Sequence, residues 1–472
     1  MNRLLISAAH KSSGKTTLTI GLCAALRARG LSVQPFKKGP DFIDPMWLSA
    51  AAGRDCHNLD FYLMGRDEIQ DTFVARSQGA DIALIEGNKG LYDGLSLDGS
   101  NSNAALANLL QTPVVLVIDA RGMTRGIAPL ILGYQSFDRD IHIAGVILNQ
   151  LGGSRHEAKL RAVIEHYTDV QVLGAVHHHD QLTIVERHLG LMPSNEATGA
   201  KAMIDSIAAM VSMHVDLDRL LAVAAQAPRL PTTGADIRPV PSFPKPDIRI
   251  GIARDAAFAF YYPGDLEALH AAGAELVPFD TLRDSTLPAV DALFIGGGFP
   301  EVHMAQLEAN APLRNAIRQS VEAGLPVYAE CGGLMYLSRS LSWKAMRHEM
   351  VGVIPGDTVM HDRPKGRGYV LLRETGKGLW PLTSGKTPVE VRAHEFHYSS
   401  LENMPPDIQY AYDVLRGTGV DGSHDGIVYK NMLASYAHMR DLVGNHWAAR
   451  FVGFVRTQKQ SAGKLQAGGI DP

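Results

Sequence analysis

The stretch "RLLISAAHKSSGKTTLTIGLCAALRARG", residues 3–30, joins an apolar run, a short polar loop and a helix-like segment. The loop ends in Gly14, Lys15 and Thr16, as a phosphate-binding loop does, although Ala9 stands where the usual pattern has its first glycine. Glycine lets the backbone approach phosphate, lysine supplies a positive charge, and threonine offers a hydroxyl to Mg²⁺. An ordinary turn between strand and helix is the alternative. We predict an ATP site formed by Ser13, Gly14, Lys15, Thr16 and Thr17.

The alternation of apolar runs and helix-like stretches continues along the chain, in "DIALIEG", "PVVLVIDA" and "IAGVILN", and again in "IRIGIARD", "ALFIGGG" and "PVYAEC". This pattern is typical of parallel sheets covered by helices. Between the two groups lie six prolines, which resist helix and central strand. We predict two α/β domains: an N-terminal phosphate-loop parallel-sheet domain (1–227), a Pro-rich linker (228–246), a C-terminal domain (247–455) with a more strand-rich second half, and a mobile tail (456–472).

Composition excludes several classes of protein. The 472 residues are 46% hydrophobic and 20% charged, which is typical of a folded globular protein. The formal net charge of −4 offers no general field for nucleic acid or an anionic membrane. No apolar stretch approaches the roughly 20 residues of a membrane span. The three cysteines have no paired spacing, so neither a disulfide framework nor a cysteine zinc site is indicated. We expect a cytoplasmic protein.

Carboxylates follow the apolar runs of the first half. Glu86 ends the run in "LIEGNKGLYDG", and Asp41 and Asp44 lie in the turn "GPDFIDP". Because parallel strands gather ligands at their carboxyl ends, and hard oxygens suit Mg²⁺, we predict Thr16, Asp41 and Glu86 as metal ligands. Solvated loop carboxylates are the alternative. Asn149, which closes another run, has an amide suited to reading the adenine edge.

The second half contains a candidate nucleophile. Cys331 follows the run "PVYAEC" and precedes two glycines, a setting that exposes a thiol at a helix N-terminus and lowers its pKa. A structural cysteine is the alternative. A thiol nucleophile needs a base; His438 is the candidate, and His394 and His397 compete for the role. The glycines of "FIGGGFPE", residues 296–298, have backbone N–H groups that would face an oxyanion, unless they only form a tight turn.

These motifs, in this order, resemble the cobyrinic acid a,c-diamide synthase family, over nearly the whole chain. The matching stretches include "SSGKTT", "KGPDFIDP", "IEGNKGLYDG", "GVILNQLGGSRH", "GGGFPE", "AECGGLMYL" and "HEFHYSS". The resemblance implies a dethiobiotin-synthetase-like amide ligase domain fused to a class I, triad-type glutamine amidotransferase domain. It places the nucleophile on Cys331 and the base on His438. It also implies an oxyanion and glutamine site at Gly296, Gly297, Gly298 and Gly332.

The implied reaction uses glutamine as nitrogen donor, with ATP and Mg²⁺ activating a carboxylate as an acyl phosphate. Its substrate would be an anionic tetrapyrrole, cobyrinic or hydrogenobyrinic acid, amidated on the a and c acetate groups. Cations near the ends of the first-domain strands, Lys37 and Arg121 among them, are candidates to meet this polyanion. The full set of expected substrate-binding residues is Lys38, Asp44, Tyr92, Asp93, Arg125, Arg187 and His188.

Some positions depart from the family pattern. Arg440 stands where a second histidine is common, and Asn88 and Lys89 replace small or apolar residues. Sirohaem or nickel-sirohydrochlorin, amidated on the same two groups, therefore stays an alternative substrate. A regulatory phosphate-loop ATPase is an alternative of another class. The histidines of "VHHHD", residues 177–179, are a candidate metal or tetrapyrrole site or else part of a solvated loop. The sequence leaves open whether the protein forms a homodimer.

Overall fold

The structure is a computed structural model that describes residues 1–178, 186–187, 190–196, 199–230, 243–381 and 389–467. The chain divides into two compact units, 1–238 and 239–472, and the division falls within the proline-rich stretch 228–246. Most of that stretch lies outside the described residues. No helix in the described ranges is long and apolar enough to cross a membrane.

The first unit contains strands and helices in alternation. Its strands are β1 (Asn2–Ala8), β2 (Val33–Lys38), β3 (His57–Leu59), β4 (Ile82–Glu86), β5 (Val114–Asp119), β6 (Ile143–Leu151), β7 (Gln171–His177), β8 (Glu186–Arg187) and β9 (Gly190–Leu191). Its helices are α1 (Lys15–Ala28), α2 (Ile43–Ala52), α3 (Arg66–Arg76), α4 (Asn103–Leu109), α5 (Ile127–Phe137), α6 (Ser154–Tyr167), α7 (Ala200–His214) and α8 (Leu217–Ala224).

Strands β1 to β7 form one parallel sheet, in the order β3-β2-β4-β1-β5-β6-β7. Strands β2 and β4 are buried at every residue, as expected for a sheet covered on both faces. The predicted parallel-sheet domain is therefore confirmed. Because β1 is central, the loop that follows it lies between the carboxyl ends of β4 and β5.

The second unit is richer in strands. They are β10 (Ile248–Ala253), β11 (Phe258–Phe260), β12 (Ala274–Phe279), β13 (Ala292–Ile295), β14 (Gly297–Gly298), β15 (Val327–Glu330), β16 (Ser338–Trp343), β17 (Met346–Glu349), β18 (Ile354–Met360), β19 (Gly366–Glu374), β20 (Glu390–His397), β21 (Ser399–Glu402), β22 (Gln409–Arg416), β23 (His424–Tyr429) and β24 (Met432–Ser435). The helices are α9 (Pro263–Ala271), α10 (Met304–Ala309), α11 (Ala311–Glu322), α12 (Gly332–Leu337) and α13 (Trp447–Ala467).

The main sheet of this unit is mixed, in the order β12-β10-β13-β15-β24-β23-β22-β19-β20. Its first five strands are parallel, and β23, β22, β19 and β20 continue antiparallel. The expected strand-rich second half is confirmed. Apolar clusters cover both faces, with aromatic side chains such as Phe294, Tyr328 and Trp447 packed on one of them.

Helix α13 continues past residue 455 to Ala467, within the segment predicted as a tail. Near the start of that segment Arg456 binds Asp247 at 2.6 Å, and Lys459 binds Asp291 at 2.9 Å. These charged contacts carry no apolar periodicity, so the sequence argument did not include them. Residues 468–472 lie outside the described residues.

Candidate functional site

The loop between β1 and α1 has the geometry of a phosphate-binding loop. Gly14 has φ +85°, and a Cβ there would lie 2.2 Å from Nδ2 of Asn149, so the position requires glycine for two reasons. Lys15 begins helix α1 and is buried, and burial lowers its pKa, an effect that the charge of Glu86 partly offsets. Ser13 is also buried, and its hydroxyl donates to the carbonyl of His10 at 2.8 Å.

Asn149 supports this loop from the neighbouring part of the sheet. Its Nδ2 donates to the carbonyl of Ser13 at 2.9 Å, and the residue is buried. A register shift in β6 and a positive φ at Gln150 accompany this placement. The sequence predicted adenine recognition by this amide; in the structure the amide nitrogen holds the loop backbone. Thr17 lies half-buried in the first turn of α1.

A cluster of charged side chains adjoins the loop. The Thr16 hydroxyl donates to Oε1 of Glu86 at 2.5 Å and lies 3.3 Å from Oδ2 of Asp44. Lys37, the register partner of Glu86 on β2, places Nζ 3.0 Å from Oε1 of Glu86 and 2.5 Å from Oδ2 of Asp44. Lys37 was only a loosely supported candidate in the sequence, yet it lies at the centre of this cluster.

Burial and charge set the proton affinities here. Burial raises the pKa of Glu86, against the opposing charge of Lys37. For Lys37 burial acts downward, but the carboxylates of Asp44 and Glu86 outweigh it and hold the pKa above its usual range. The lysine therefore stays charged, and it stabilises the two carboxylates.

The turn before α2 carries two of the predicted carboxylates. Asp41 Oδ1 accepts hydrogen bonds from the backbone N–H groups of Ile43 and Asp44, at 2.9 and 3.2 Å, and Asp41 Oδ2 lies 3.9 Å from Nζ of Lys37. The metal role of Asp41 stays a prediction. Asp44, assigned to substrate by the resemblance, is the aspartate that contacts Thr16. Within the turn 41–44, the Asp41 carboxylate thus binds backbone N–H groups of the turn itself. Aspartate often makes such contacts in turns, and the sequence spacing of the two aspartates does not show which of them will do so.

The residues fit Mg²⁺ in the manner usual for nucleotide sites. Oε2 of Glu86 is buried and has no hydrogen-bond partner among the described residues, and the Thr16 hydroxyl lies beside the same carboxylate. Within those residues no group of three His, Cys, Asp or Glu side chains is spaced as a metal cage. Mg²⁺ is commonly held by one or two carboxylates together with phosphate oxygens, so no such cage is required.

The expected substrate residues fall into different surroundings. Lys38 is buried, its Nζ donates to Oδ1 of Asn88 at 3.2 Å, and burial lowers its pKa to about 8. Tyr92 donates to the carbonyl of Tyr134 at 2.6 Å, and Asp93 accepts from the N–H of Gly90 at 3.0 Å. These three side chains therefore have structural partners near the loop after β4.

The remaining expected cations lie elsewhere or cannot be placed. Arg125 is exposed, and its guanidinium lies 5.1 Å above the ring of Tyr167. The backbone of Arg187 belongs to β8, but its side chain is not described, and His188 lies outside the described residues. In the 177–179 stretch, His177 contacts Glu157 at 3.0 Å, and His179 is outside the described residues.

Asn103 is a buried polar residue that the sequence argument missed. Its Oδ1 accepts from the N–H of Asn88 at 3.1 Å, and its Nδ2 donates to the carbonyl of Gly90 at 2.8 Å. The side chain thereby holds the loop that follows Glu86. An asparagine at the start of a short helix carries no sequence signal for such a role.

The second unit presents Cys331 on a sharp turn. The residue lies between β15 and α12 with φ +47° and ψ −102°, a conformation that non-glycine residues rarely adopt. Its N–H donates to the carbonyl of Ser435 at 2.7 Å, which ties the turn to β24. A strained strand-to-helix turn of this kind is how several hydrolases expose a nucleophile.

His438 is the histidine that the structure brings to this thiol. Its ring interacts with the Cys331 side chain and with Glu330, whose Oε2 lies 3.4 Å from Nδ1. Burial alone would lower the pKa of His438, but Cys331 and then Glu330 raise it to about 10. Cys331 and Glu330 together therefore favour the imidazolium form of His438.

The competing histidines have other environments. His394 stacks on His438 with ring centroids 4.9 Å apart, and burial followed by the charges of His438 and Arg440 holds its pKa well below its usual range. His397 stacks on Tyr436 at 3.9 Å, and its Nδ1 contacts the carbonyl of Ser399 at 2.8 Å. The residue pattern alone left these three histidines open, and the family resemblance placed the base on His438.

The predicted glycine loop lies beside the pair. A Cβ at Gly297 would come 2.5 Å from Cε1 of His438, and a Cβ at Gly332 would come 2.9 Å from the nitrogen of Gly298. The N–H of Gly296 donates to the Tyr261 hydroxyl at 2.9 Å, and its oxyanion role stays a prediction. The backbone nitrogen of Gly298 lies beside Gly332, the residue that follows Cys331, so the N–H groups of these two glycines are the candidates used below.

Comparison with known proteins gives the same division. Residues 5–191 match the family described as the CobQ/CobB/MinD/ParA nucleotide binding domain, and residues 249–442 match the CobB/CobQ-like glutamine amidotransferase domain. The cobyrinate a,c-diamide synthase of Magnetococcus marinus is 48% identical, over 96% of this chain and 97% of its own. Those of Methanosarcina acetivorans (98% and 96%) and Archaeoglobus fulgidus (95% and 96%) are each 42% identical.

The alternative of a regulatory phosphate-loop ATPase is not supported. Such a protein does not require a glutamine amidotransferase domain, whereas residues 249–442 of this chain match one and the chain matches a synthase over 96% of its length. A nucleotide-binding domain and a glutamine amidotransferase domain in one chain are what an amide-forming ligase requires, since a carboxylate must be activated before ammonia can displace oxygen from it. The chain belongs to the cobyrinate a,c-diamide synthase family and is a glutamine-dependent ligase.

Proposed function

We propose that the chain uses ATP and glutamine to convert the a and c acetate groups of cobyrinic or hydrogenobyrinic acid to amides. The observation that carries the proposal is the near full-length similarity to cobyrinate a,c-diamide synthases, 48% over 96% of the chain in one case, in a chain with both candidate sites. Substrate identity and the acyl-phosphate route rest on that similarity, and the residue roles proposed below are supported by the contacts in the two candidate sites.

In the second unit, Cys331 Sγ attacks the side-chain amide carbon of glutamine. The C–N bond breaks as the imidazolium of His438 gives its proton to the leaving nitrogen, and ammonia departs. Water then hydrolyses the glutamyl thioester, which returns the thiol and releases glutamate. The N–H groups of Gly298 and Gly332 are proposed to stabilise the oxyanion of both tetrahedral states.

In the first unit, a carboxylate oxygen of the substrate attacks the γ-phosphorus of ATP, and ADP leaves. Ammonia then attacks the acyl carbon of the acyl phosphate, and inorganic phosphate departs. Lys15 and the loop backbone bind the phosphates, and Lys37 is placed to balance charge on the transferred group. Thr16 and Glu86 would hold Mg²⁺, which when bound supplies further positive charge at the phosphates.

A substrate screen tests the proposal. Purified protein is incubated with ATP, Mg²⁺ and glutamine and with cobyrinate, hydrogenobyrinate, sirohaem or nickel-sirohydrochlorin in turn, and products are analysed by mass spectrometry. We expect two successive conversions of carboxylate to amide on cobyrinate or hydrogenobyrinate. Diamidation of sirohaem or nickel-sirohydrochlorin alone would overturn the substrate assignment.

A further inference from the structure

A buried carboxylate directly precedes the candidate nucleophile. Glu330, the last residue of β15, is 3% exposed. Its Oε1 accepts hydrogen bonds from the Tyr328 hydroxyl at 2.7 Å and from the backbone N–H of Met439 at 2.9 Å. One donor belongs to the same strand and the other to the segment that carries His438. The carboxylate is therefore fixed in position from both sides.

The other oxygen of this carboxylate faces His438. Oε2 of Glu330 lies 3.4 Å from Nδ1 of the imidazole, which leaves the Nε2 side of the ring to the thiol. The histidine is held independently, because its backbone pairs with that of His394 through N–H···O bonds of 2.8 and 3.3 Å. Backbone pairing fixes the Cα position, but a side-chain contact is needed to fix the rotation and the tautomer of the ring.

No acid occupies the position two residues after His438. Arg440 stands there, and its guanidinium lies 4.7 Å above the ring of Tyr262. An arginine cannot accept a hydrogen bond from an imidazole, so that position supplies no acid to the triad. Glu330 approaches the same ring from the strand of the nucleophile instead.

We propose that Glu330 is the positioning residue of the glutaminase site, holding His438 in the tautomer and orientation in which Nε2 exchanges a proton with Cys331. This inference rests on the proposed roles of Cys331 and His438. In hydrolases with a comparable triad, the acid does not take up the proton; it orients the imidazole and stabilises its cation. The shared strand end explains why acid and nucleophile are sequence neighbours here.

The charges around His438 predict the direction of a pH effect. Cys331 and Glu330 face the ring from the end of β15, His394 stacks on it from β20, and Arg440 lies on its own segment. When the thiol of Cys331 is protonated, the negative charge of Glu330 remains beside the ring. This charge favours the imidazolium form of His438. Removing that charge therefore lowers the pKa of His438, and the alkaline limb of glutaminase activity moves to lower pH.

The test is Glu330→Gln, assayed for glutaminase activity as a function of pH. We expect kcat to fall about 100-fold with little change in KM for glutamine, and the alkaline limb to move down by about one pH unit. Alkylation of Cys331 by iodoacetamide at neutral pH should be slower in Glu330→Gln than in wild type, because less imidazolium is present to stabilise the thiolate. Cys23 and Cys56 are fully buried and will not obscure this signal. Synthesis from added ammonium salt should be unchanged.

Two variants separate positioning from packing. Glu374→Gln removes another buried carboxylate of this unit, one paired with Arg450 at 2.6 Å, and should leave the pH profile unchanged. Glu330→Asp keeps the charge but withdraws it by one methylene, so kcat should lie between wild type and Glu330→Gln, with the alkaline limb near that of wild type.

Wild-type kcat and an unshifted alkaline limb in Glu330→Gln would overturn the inference. If that variant does not fold, a wild-type kcat in Glu330→Asp would do so. Glutaminase activity that survives Cys331→Ser would instead overturn the proposed function, which keeps the two failures distinct.

Discussion

Lys37 and Glu86 face each other across neighbouring parallel strands, with Nζ of the lysine 3.0 Å from Oε1 of the glutamate. Both side chains are buried, and Thr16 donates to the same carboxylate oxygen. The lysine therefore holds in place the carboxylate that is proposed to meet Mg²⁺. Lys37 thereby balances the negative charge of Glu86 and Asp44 beside the phosphate loop.

Glu86→Gln should weaken the use of Mg-ATP far more than the use of glutamine. The substitution removes charge from a hard-cation site and leaves Lys37 without one of its two closest carboxylates. We expect the Mg²⁺ concentration for half-maximal synthesis to rise about tenfold, or more, with glutaminase activity retained. Asp205→Asn, in the exposed pair with Lys201, is the matched control. An unchanged rate at limiting Mg²⁺ would show that Glu86 does not act at the metal.

Lys15→Ala should abolish diamide formation and leave basal glutaminase activity detectable. The lysine belongs to the phosphate loop of the first unit, whereas the thiol chemistry is assigned to the second. Product formation and glutamate release are measured on the same preparation. Lys201→Ala, which breaks the exposed pair with Asp205, controls for loss of a lysine and should behave as wild type. Diamide formation at the wild-type rate would contradict the assignment of this loop.

Gly14→Ala should impair ATP use through a steric clash as well as backbone strain. A Cβ there would lie 2.2 Å from Asn149 Nδ2, and the residue has φ +85°. Gly30→Ala separates the two effects, because Gly30 has φ +84° and no atom within 4 Å of the added Cβ. We expect Gly30→Ala to cost about 1 kcal/mol of unfolding free energy without changing the KM for ATP. Equal KM values for both variants would indicate that the loop tolerates the clash.

Cys331→Ser should lose glutamine-dependent synthesis and keep synthesis from ammonium salts at raised pH. A serine hydroxyl ionises far less readily than a thiol, so it cannot replace Cys331 in the same setting. Free NH₃ is the nucleophile at the acyl phosphate, so ammonium rescue should grow as pH approaches the pKa of ammonium. Cys56→Ala is the control and should keep glutamine-dependent synthesis. A Cys331→Ser protein inactive with ammonia would show that the two half-reactions are not separable.

Asp357→Asn should destabilise the second unit in a pH-dependent manner. Arg339 binds this carboxylate at 2.9 Å through Nε and, with Ser340 and Asn403 also donating, holds its pKa well below its usual range. A depressed carboxyl pKa contributes stability that is present above the unfolded-state value of about 3.9 and is lost as pH falls below it.

At pH 7 we expect Asp357→Asn to lower the unfolding free energy by about 1–2 kcal/mol, a difference that shrinks toward pH 3. Urea unfolding followed by tryptophan fluorescence measures it, since Trp343, Trp380 and Trp447 lie in this unit. Glu275→Gln, in an exposed pair with Arg249, should change little. A difference from wild type that does not depend on pH would contradict the electrostatic explanation.

The sequence by itself determined the class of fold, the phosphate loop and the candidate nucleophile. The phosphate loop is encoded locally by a strand, a polar loop with Gly14 and Lys15, and a helix in succession. The candidate nucleophile is encoded locally by a strand followed by Cys331 and two glycines. Periodic apolar runs are sufficient to predict parallel sheets, because burial on both faces leaves a continuous apolar signature.

Tertiary structure alone decided which side chains act together. Glu330 takes its place beside His438 because β15 and β24 are paired, and Lys37 meets Glu86 because β2 and β4 are in register. The separate environments of His438, His394 and His397 depend likewise on strand pairing far along the chain. Such contacts join residues that are distant in sequence. The residues next to a charged or polar side chain do not indicate which distant residue it will contact.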